Sequence, residues 1–414
     1  MFVILYKLAL LILWVFALPV LLLRKKTRDS VLGRWGVANQ MRAWRELNPA
    51  DLHWVHVASS GEFEQSIPIM EAIQAEKPGS LVMLTYFSSS ARRAVALETT
   101  RRLGQSLPWH YAGYSAWDFS FRLRSLVRDL RPLSYSVMHR ELWLGMLAAC
   151  HAERVCCHLF ATYTPTLKGV SRLWFKFCLR YFKTVTTLNL VESQLGDKLI
   201  CLRDPRVERI MSRSHRANLR GWETFFNRSS TLIFASLWEK EWPLMAWALD
   251  RVWKAGFKSR VLVVPHDPNE MVVNGMLSFF KQQGQPVRRW SQFTRIPDDQ
   301  THLIVDTIGV LAELYRVADT VVVGGSFLGR VHNIIEPLVY HCRVITGPHV
   351  QNSAQAAELK ALGILDVVKN EISLSEMLLK SQGQPQSAER DAVIDEYFSL
   401  HAGSGRDHAR LLWV

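Results

Sequence analysis

The segment TVVVGGSFLGRVHNIIEP, residues 320–337, contains a strand, a glycine-rich turn and a helix start in succession. Its first four residues are β-branched and favour a buried strand. Gly324 and Gly325 follow directly, and Asn333 is a favoured residue at a helix N-terminus. Free backbone N–H groups and the helix dipole at such a place attract an anion. The segment therefore predicts an α/β unit whose strand ends at an anion site.

The turn fits no standard phosphate motif. A Walker loop needs Lys and Ser/Thr where the chain has Arg330 and Val331, and a dinucleotide fingerprint needs G-x-G-x-x-G. Asn333 and Glu336 have the spacing of a capping box, which would be purely structural. Three glycines within six residues, at 324, 325 and 329, instead suggest close approach of backbone to a ligand. On pattern alone both interpretations stay open.

Working outward, strand-like apolar runs alternate with helix-length segments along the whole chain. They are LHWVHVA (52–58), SLVMLTYF (80–87), SYSVM (134–138), ERVCCHLF (153–160), VTTLNLV (185–191), TLIFASLW (231–238), SRVLVVPH (259–266), HLIVD (302–306), DTVVVGG (319–325) and RVITG (343–347). Such alternation predicts α/β domains with parallel sheets covered on both faces. A basic stretch without strand pattern, 202–222, marks a junction. We expect domains at 24–210 and 222–385 and a C-terminal helix within 386–414.

Residues 1–23 form an apolar segment with a single charge, Lys7. It is long enough to cross roughly 30 Å of hydrocarbon, and the basic residues that follow place its carboxyl end in the cytoplasm. We expect an uncleaved membrane anchor with the remaining chain on the cytoplasmic side. The alternative is a helix lying in the membrane interface.

The net charge of +13, with 15 tryptophans and this anchor, favours an anionic membrane surface as partner over nucleic acid, for which no motif appears. A basic stripe along 171–183 predicts either an amphipathic helix on lipid or a solvated domain surface. Six cysteines include no C-x-x-C pair, which argues against a zinc site. No bound metal is expected.

Several residues at strand ends are candidates for chemistry. Glu62 follows the first strand, where open α/β sheets place ligands, and could act as a general base; its spacing from Ser59 equally suits a capping box. Glu141 follows another strand, although a first-turn acid is the ordinary explanation. His266 ends a strand and could contact a phosphate or pyrimidine, or have no such task.

In order and spacing, a series of blocks resembles the 3-deoxy-D-manno-octulosonic acid (Kdo) transferase family. The blocks are GRWG (33–36), HVASSGE (56–62), RELW (140–143), ASLWEKE (235–241), VPHDPNE (264–270), DTIGVLAELYRVADTVVVGGSF (306–327), HNIIEP (332–337) and GPHVQN (347–352). The resemblance covers nearly the whole chain.

The resemblance implies a GT-B fold, two Rossmann-like domains with an inter-domain cleft, and an inverting, metal-independent transferase without cofactor. It would move Kdo or a related ulosonic acid from its CMP derivative to a lipid A precursor in lipopolysaccharide biosynthesis at the inner membrane. It assigns Glu62 as the catalytic base. It assigns donor binding to Gly324, Gly325, Ser326, Phe327, Asn333, Glu336, His266 and Gly309, and acceptor binding or support to Glu141, Ser60 and Gly61. It leaves the oligomeric state open.

The chain departs from the family pattern at three places. His266 and Asp267 stand where the family has Arg-His, Thr162 lies in a block that has lost its arginine, and Arg140 stands in a normally acidic block. These departures motivate two alternatives: a GT-B transferase with another activated sugar, or a catalytically silent membrane-anchored paralogue that binds lipopolysaccharide precursors.

Overall fold

The computed structural model describes residues 2–23, 25–139, 141–162, 169–188, 199–216, 231–292, 301–351, 353–382 and 387–413. The chain divides into two compact units, one of residues 1–209 with 401–414 and the other of residues 210–400. Each unit contains one seven-stranded parallel sheet. The predicted α/β architecture with two doubly wound sheets is confirmed.

The sheet of the first unit has the strand order β3-β2-β1-β4-β5-β6-β7. Its strands are β1 Leu52–Val57, β2 Leu81–Tyr86, β3 Tyr111–Tyr114, β4 Ser134–Met138, β5 Cys156–Thr162, β6 Thr184–Thr187 and β7 Leu199–Cys201. Its helices are α1 Phe2–Leu23, α2 Lys25–Leu32, α3 Val37–Leu47, α4 Ser60–Glu76, α5 Ser89–Arg101, α6 Leu123–Leu130, α7 Leu144–Ala152, α8 Gly169–Leu179 and α9 Pro205–Arg216, whose last residues enter the second unit. The central strands β1 and β4 are buried throughout because helices cover both faces, whereas the edge strands β3 and β7 are partly exposed.

The sheet of the second unit has the order β10-β11-β9-β8-β12-β13-β14. Its strands are β8 Thr231–Leu237, β9 Arg260–Pro265, β10 Val287–Arg289, β11 His302–Ile304, β12 Thr320–Val323, β13 Arg343–Thr346 and β14 Leu365–Val367. Its helices are α10 Trp242–Lys254, α11 Glu270–Gln282, α12 Leu311–Leu314, α13 Ile335–Leu338, α14 Ala354–Ala361, α15 Glu371–Ser381 and α16 Ala388–His401.

The C-terminal segment, predicted as one helix within 386–414, contains two helices. After α16, Gly403 takes a left-handed backbone with φ 81° and starts α17, Ser404–Arg410. Helix α17 packs on α4 so closely that a Cβ on Gly405 would lie 2.6 Å from the Cβ of Pro68. This contact explains why the last residues of the chain belong to the first unit.

Helix α1 is long and apolar enough to cross a membrane, the property predicted for residues 1–23. One side of it docks on the first unit. The Tyr6 hydroxyl donates to Asp118 Oδ2 at 2.9 Å and Lys7 Nζ donates to the carbonyl oxygen of Ser120 at 2.8 Å. Trp14 packs against the ring of Trp117, with centroids 5.5 Å apart. The opposite side exposes large apolar side chains, among them Ile12 57%, Phe16 78% and Leu23 84%.

Candidate active site

The strand order of the first unit reverses at β1, whose neighbours are β2 on one side and β4 on the other. At such a switch point the connections leave in opposite directions and open a crevice at the carboxyl ends of the strands. Glu62 follows β1 and Glu141 follows β4. The structure therefore brings these two predicted residues to adjacent strand ends at the same edge of the sheet.

Glu62 lies in the first turn of α4 and takes part in its capping. The Ser59 hydroxyl oxygen accepts from the Glu62 N–H at 3.3 Å, and Glu62 Oε2 accepts from the Ala58 N–H at 2.6 Å. Burial raises the pKa of Glu62 from its ordinary value of 4.5 to about 7, the nearby charge of Glu141 adds to this, and the Ala58 hydrogen bond opposes it. The Glu62 carboxylate thus caps the helix and also has the pKa of a general base.

Glu141 is held in place by an aromatic neighbour. The Trp143 indole N–H donates to Glu141 Oε2 at 2.6 Å, and the Trp143 ring stacks on Phe87 with centroids 4.8 Å apart. Burial raises the pKa of Glu141, opposed by this hydrogen bond. The charge of Glu141 in turn raises the pKa of Glu62, because two neighbouring negative charges are unfavourable.

The other predicted acceptor residues, Ser60 and Gly61, lie exposed in the first turn of α4, and a Cβ on Gly61 would meet open space. Thr162 is fully buried at the end of β5. Arg140 and the rest of the altered block at 163–164 lie outside the described residues.

A buried arginine that the sequence analysis quoted only within a block also lies at this edge. The Arg34 guanidinium stands over the rings of Phe87, Tyr114 and Trp117, at 4.3, 5.1 and 4.7 Å from their centroids. It donates to the carbonyl oxygen of Phe87 at 2.5 Å. Burial lowers the pKa of Arg34 to about 10. Arg34 thereby ties the segment after α2 to the residues beside Trp143.

The sheet of the second unit reverses at β8, which pairs with β9 and with β12. The residues predicted to bind a donor nucleotide follow these strands and β11: His266 after β9, Gly309 after β11, and the turn 324–327 after β12. The structure therefore gathers strand ends of the kind that bind ligands in open α/β sheets.

The turn after β12 already holds an anion, the carboxylate of Glu241. Both oxygens of Glu241 accept from the Gly325 N–H, at 2.7 and 2.9 Å, and Oε2 also accepts from the Trp238 N–H at 3.1 Å. The Phe327 backbone N–H is a further donor to Glu241. Burial raises the pKa of Glu241, and these backbone donors oppose that rise. The cradle predicted for a phosphate is thus filled by a side chain that the sequence analysis did not single out.

The glycines of the turn are required by close contacts. The Gly324 N–H donates to the carbonyl oxygen of Ala235 at 2.9 Å, and a Cβ on Gly324 would lie 2.8 Å from Glu241 Oε2 and 2.9 Å from the Ser236 carbonyl oxygen. Gly325 has φ 92°, and a Cβ there would collide with the Arg330 carbonyl oxygen. These contacts supply a structural reason for the glycine pair that does not involve a ligand.

Ser326 and Phe327 also make internal contacts. The Ser326 hydroxyl is within hydrogen-bond distance of Thr346 Oγ1, at 2.7 Å, and accepts from the Gly347 N–H. A Cβ on Gly347 would lie 2.7 Å from the Phe327 ring. These two side chains therefore fix the turn against the loop after β13.

Three rings stack beside the turn. Trp238 lies 4.0 Å from His266 and 5.8 Å from His332 between ring centroids, and the two histidines are 4.9 Å apart. His266 is exposed, whereas burial lowers the pKa of His332 to about 4, with the nearby His266 adding to this. The stack presents the exposed His266 ring next to the glycine turn.

Asn333 and Glu336 lie together at the start of α13. Asn333 Oδ1 accepts from the N–H groups of Ile335 and Glu336, at 3.1 and 3.4 Å, so the capping spacing seen in the sequence is used. Arg213 approaches Glu336 Oε1 at 3.9 Å, and both line a small cavity with Tyr340. Gly309 lies exposed with φ 97° and no neighbour that would meet a Cβ.

Within the described ranges, no three His, Cys, Asp or Glu side chains come together as a metal site would require.

Comparisons with known proteins show which family the chain resembles. The family model described as 3-deoxy-D-manno-octulosonic-acid transferase (kdotransferase) matches residues 30–193. The 3-deoxy-D-manno-octulosonic acid transferase of Haemophilus influenzae is 24% identical over 365 residues, covering 81% of this chain and 80% of the relative, and that of Aquifex aeolicus is 25% identical over 325 residues, covering 78% and 83%.

Among solved structures, a UDP-N-acetylglucosamine 2-epimerase is similar with a TM-score of 0.59 at 10% sequence identity, covering 88% of this chain and 94% of that one. A likeness at that identity concerns the fold alone, which is of the GT-B class. With the sequence matches, it confirms the resemblance found in the motifs. The chain is therefore similar over most of its length to 3-deoxy-D-manno-octulosonic acid transferases.

Proposed function

We propose that the protein is an inverting glycosyltransferase that moves Kdo, or a related ulosonic acid, from its CMP-activated form to a lipid A-type acceptor in lipopolysaccharide biosynthesis. The similar proteins support the sugar, since they are named 3-deoxy-D-manno-octulosonic acid transferases. The acceptor follows from the resemblance of the sequence motifs to the Kdo transferase family. The observation that carries the chemistry is Glu62, a carboxylate with a pKa raised to about 7 at the switch point of the first sheet.

The proposed step needs one base and one leaving group. A hydroxyl of the acceptor gives its proton to Glu62 as its oxygen attacks the anomeric carbon of the donor. The bond to the CMP oxygen breaks, CMP departs with the bonding electrons, and attack opposite the leaving group inverts the anomeric configuration. A base with a pKa near the working pH is half ionised there and still strong enough to accept the proton.

Glu141 supports this step by position and charge. Its negative charge near Glu62 raises the pKa of Glu62 and so strengthens it as a base. The hydrogen bond from Trp143 keeps the Glu141 carboxylate in that place. We assign Glu141, Ser60 and Gly61 to the acceptor side.

On the donor side we divide the predicted residues into two groups. Exposed His266, together with Asn333, Glu336 and Gly309, is assigned to the nucleotide. The turn 324–327 is assigned to shaping the site, because the Gly325 and Phe327 N–H groups face Glu241. His266 stands where the family has arginine, so an imidazole replaces an always-charged guanidinium at the contact with phosphate or cytosine.

The membrane partner is assigned to α1 and α8. Helix α8 exposes Val170 and Leu173 by 82% and 68%, and the basic residues Arg172 and Lys176 are also exposed. Its Trp174 ring stacks on Tyr6 of α1 at 5.5 Å. Apolar and basic side chains side by side suit the anionic cytoplasmic surface of an inner membrane.

The test is transfer by the full-length chain in detergent, with CMP-Kdo as donor and a lipid A precursor as acceptor, in the presence and absence of EDTA. We expect product at equal rates in both, and thermal stabilisation by CMP but not by UDP or GDP. Stabilisation by UDP or GDP would favour another activated sugar, a possibility raised by His266. No response to any nucleotide and no transfer would favour a silent paralogue.

A further inference from the structure

The first unit contains a cavity of about 250 Å³ between α1 and the carboxyl edge of its sheet. Helix α1 supplies one wall with Leu10, Leu13, Trp14 and Ala17. The facing wall is largely aromatic and includes Phe87, Trp117, Phe119, Tyr135 and Trp143. The volume of the cavity is below the ~300–1,000 Å³ of pockets that hold drug-sized ligands. The cavity therefore suits one hydrocarbon chain, and is too small for a whole lipid.

The polar groups that line this cavity are neutral or internally satisfied. Asp118 accepts from the N–H groups of Gly145 and Met146, at 2.9 and 2.7 Å, and from the Tyr6 hydroxyl. His56 Nδ1 is 3.0 Å from Thr85 Oγ1, and burial lowers the pKa of His56 to about 3, so its ring is uncharged at neutral pH. A hydrocarbon chain in the cavity would therefore leave no charged group without a hydrogen-bond partner.

The cavity adjoins the carboxylate pair. Trp143 forms part of its wall and donates to Glu141 through its indole N–H. His56, also in the wall, precedes Ala58, whose N–H binds Glu62, by two residues. A molecule with a hydroxyl at Glu62 would thus have its neighbouring atoms at the mouth of an apolar space.

The cavity also adjoins the membrane-facing helix. Residues Leu13 and Ala17 line it from α1, and the same helix exposes Ile12 and Phe16 on its other side. A chain of a lipid in the acyl layer could pass along α1 into this space without crossing water. The cavity thus has an apolar path along α1 on one side and the proposed catalytic carboxylate on the other. An occupant with a hydrocarbon chain and a hydroxyl group fits both surroundings.

We propose that this cavity receives one acyl chain of the acceptor lipid and positions the acceptor hydroxyl toward Glu62. This inference rests on the proposed function, and it adds that acceptor recognition includes the hydrocarbon part. Burial of each methylene from water contributes roughly fourfold to an equilibrium constant, so even a short inserted segment changes acceptor affinity strongly.

The experiment fills the cavity. Ala116 lines it, and Ala116→Phe places a ring in the space; Ala152→Phe, at the exposed end of α7, is the matched control. Full-length wild type and both variants are assayed in detergent with CMP-Kdo and two acceptors, the acylated lipid A precursor and the same disaccharide freed of its chains. Thermal unfolding is recorded for each protein.

For Ala116→Phe we expect the KM for the acylated acceptor to rise about tenfold or more, with kcat/KM for the chain-free acceptor within about twofold of wild type. Ala152→Phe should leave both unchanged. Equal losses on both acceptors, or no loss on either, would overturn the inference. If wild type transfers to neither acceptor, the proposed function itself fails, which is a distinct result.

A second measurement locates the acyl chain of the acceptor and does not depend on the folding of the Ala116→Phe variant. An acceptor with a photoreactive diazirine at the end of one acyl chain is irradiated with the full-length wild type. We expect cross-links within residues 10–17 or 115–119. Cross-links there from a phospholipid with the same probe, and none from the acceptor, would assign the cavity to bilayer lipid and overturn the inference.

Discussion

The backbone N–H of Gly325 donates to both carboxylate oxygens of Glu241, at 2.7 and 2.9 Å, across 84 residues of sequence. This relationship decides what the glycine turn does. With further donors from Trp238 and Phe327, the turn resembles an anion-binding nest whose anion belongs to the protein. The hydrogen bonds between Gly325 and Glu241 join the segment after β8 to the segment after β12.

Replacing Glu241 by Gln should therefore weaken the second unit. An amide retains one acceptor oxygen but turns an NH₂ group toward backbone donors, so we expect unfolding free energy to fall by about 1–3 kcal/mol. Exposed Glu239→Gln, two residues away, is the control and should change little. Chemical denaturation of both variants makes the comparison, and equal stabilities would show that the contact contributes nothing.

Gly325→Ala and Gly329→Ala separate backbone conformation from close contact. Both glycines have left-handed backbone, φ 92° and 87°, which costs an L-residue roughly 1–2 kcal/mol. A Cβ on Gly325 would also lie 2.6 Å from the His332 ring, whereas one on Gly329 meets nothing within 4 Å. We expect Gly325→Ala to lower the melting temperature clearly more than Gly329→Ala. Equal shifts would mean that the turn relaxes around the added methyl.

The pH dependence of transfer should report Glu62. A base must be ionised, so the rate should fall as pH drops below the pKa of about 7. Glu62→Gln should lower kcat by roughly 10²–10⁴-fold, the range for loss of general-base catalysis. Exposed Glu46→Gln should retain the wild-type profile.

The stability that Glu62 contributes should change with pH in the direction opposite to the transfer rate. Because the folded pKa of Glu62 lies above the ordinary value of 4.5, the folded protein binds the proton more tightly between pH 4.5 and 7. The stability of wild type relative to Glu62→Gln should therefore decrease as pH rises through this window. A rate profile without an acid limb near 7 would speak against Glu62 as the base.

Glu141→Gln tests the coupling of the two carboxylates. The charge of Glu141 raises the pKa of Glu62, so its removal should shift the acid limb of the rate profile to lower pH. The amide oxygen can still accept from the Trp143 indole, which limits any change in shape. An unmoved acid limb with a lower kcat would instead indicate that Glu141 contacts the acceptor.

The sequence predicted the central strands of both sheets because long apolar runs are the mark of strands buried on both faces. It did not predict β3, β7, β10 or β14, which are three or four residues long. All four lie at a sheet edge, where burial imposes a weaker pattern on the sequence. Local pattern thus located the central strands but not the full width of either sheet.

The site residues that the sequence predicted lie next to predicted strands, whereas those that it missed depend on contacts between distant segments. Glu62 and Glu141 were found because each follows a predicted strand directly. Glu241 was overlooked because its partner, Gly325, is distant in sequence and only the pairing of β8 with β12 brings them together. Arg34, in a basic stretch after an apolar helix, gives no local sign that three aromatic rings will enclose it.

The docking of α1 bears on how the protein meets the membrane. Lys7 lies about 24 Å along the helix from Leu23, at 1.5 Å per residue. If α1 crossed the bilayer with its carboxyl end at the cytoplasmic surface, the partners of Tyr6 and Lys7, Asp118 and Ser120, would be drawn past the middle of a core roughly 30 Å thick. A carboxylate at that depth is strongly unfavourable. The contacts therefore favour a helix in the interface, with its exposed apolar side toward the acyl layer.

We accordingly predict that the N-terminus and the two units lie on the same side of the membrane. An epitope tag before Met1 should be protected from protease added to intact spheroplasts and digested after lysis, because an interfacial helix leaves both of its ends on the cytoplasmic face. A spanning helix would expose the tag to protease in intact spheroplasts. A tag after Val414, expected to be protected in either case, controls for leakage. Digestion of the N-terminal tag alone would show that the contacts of Tyr6 and Lys7 with the first unit are not kept in the membrane.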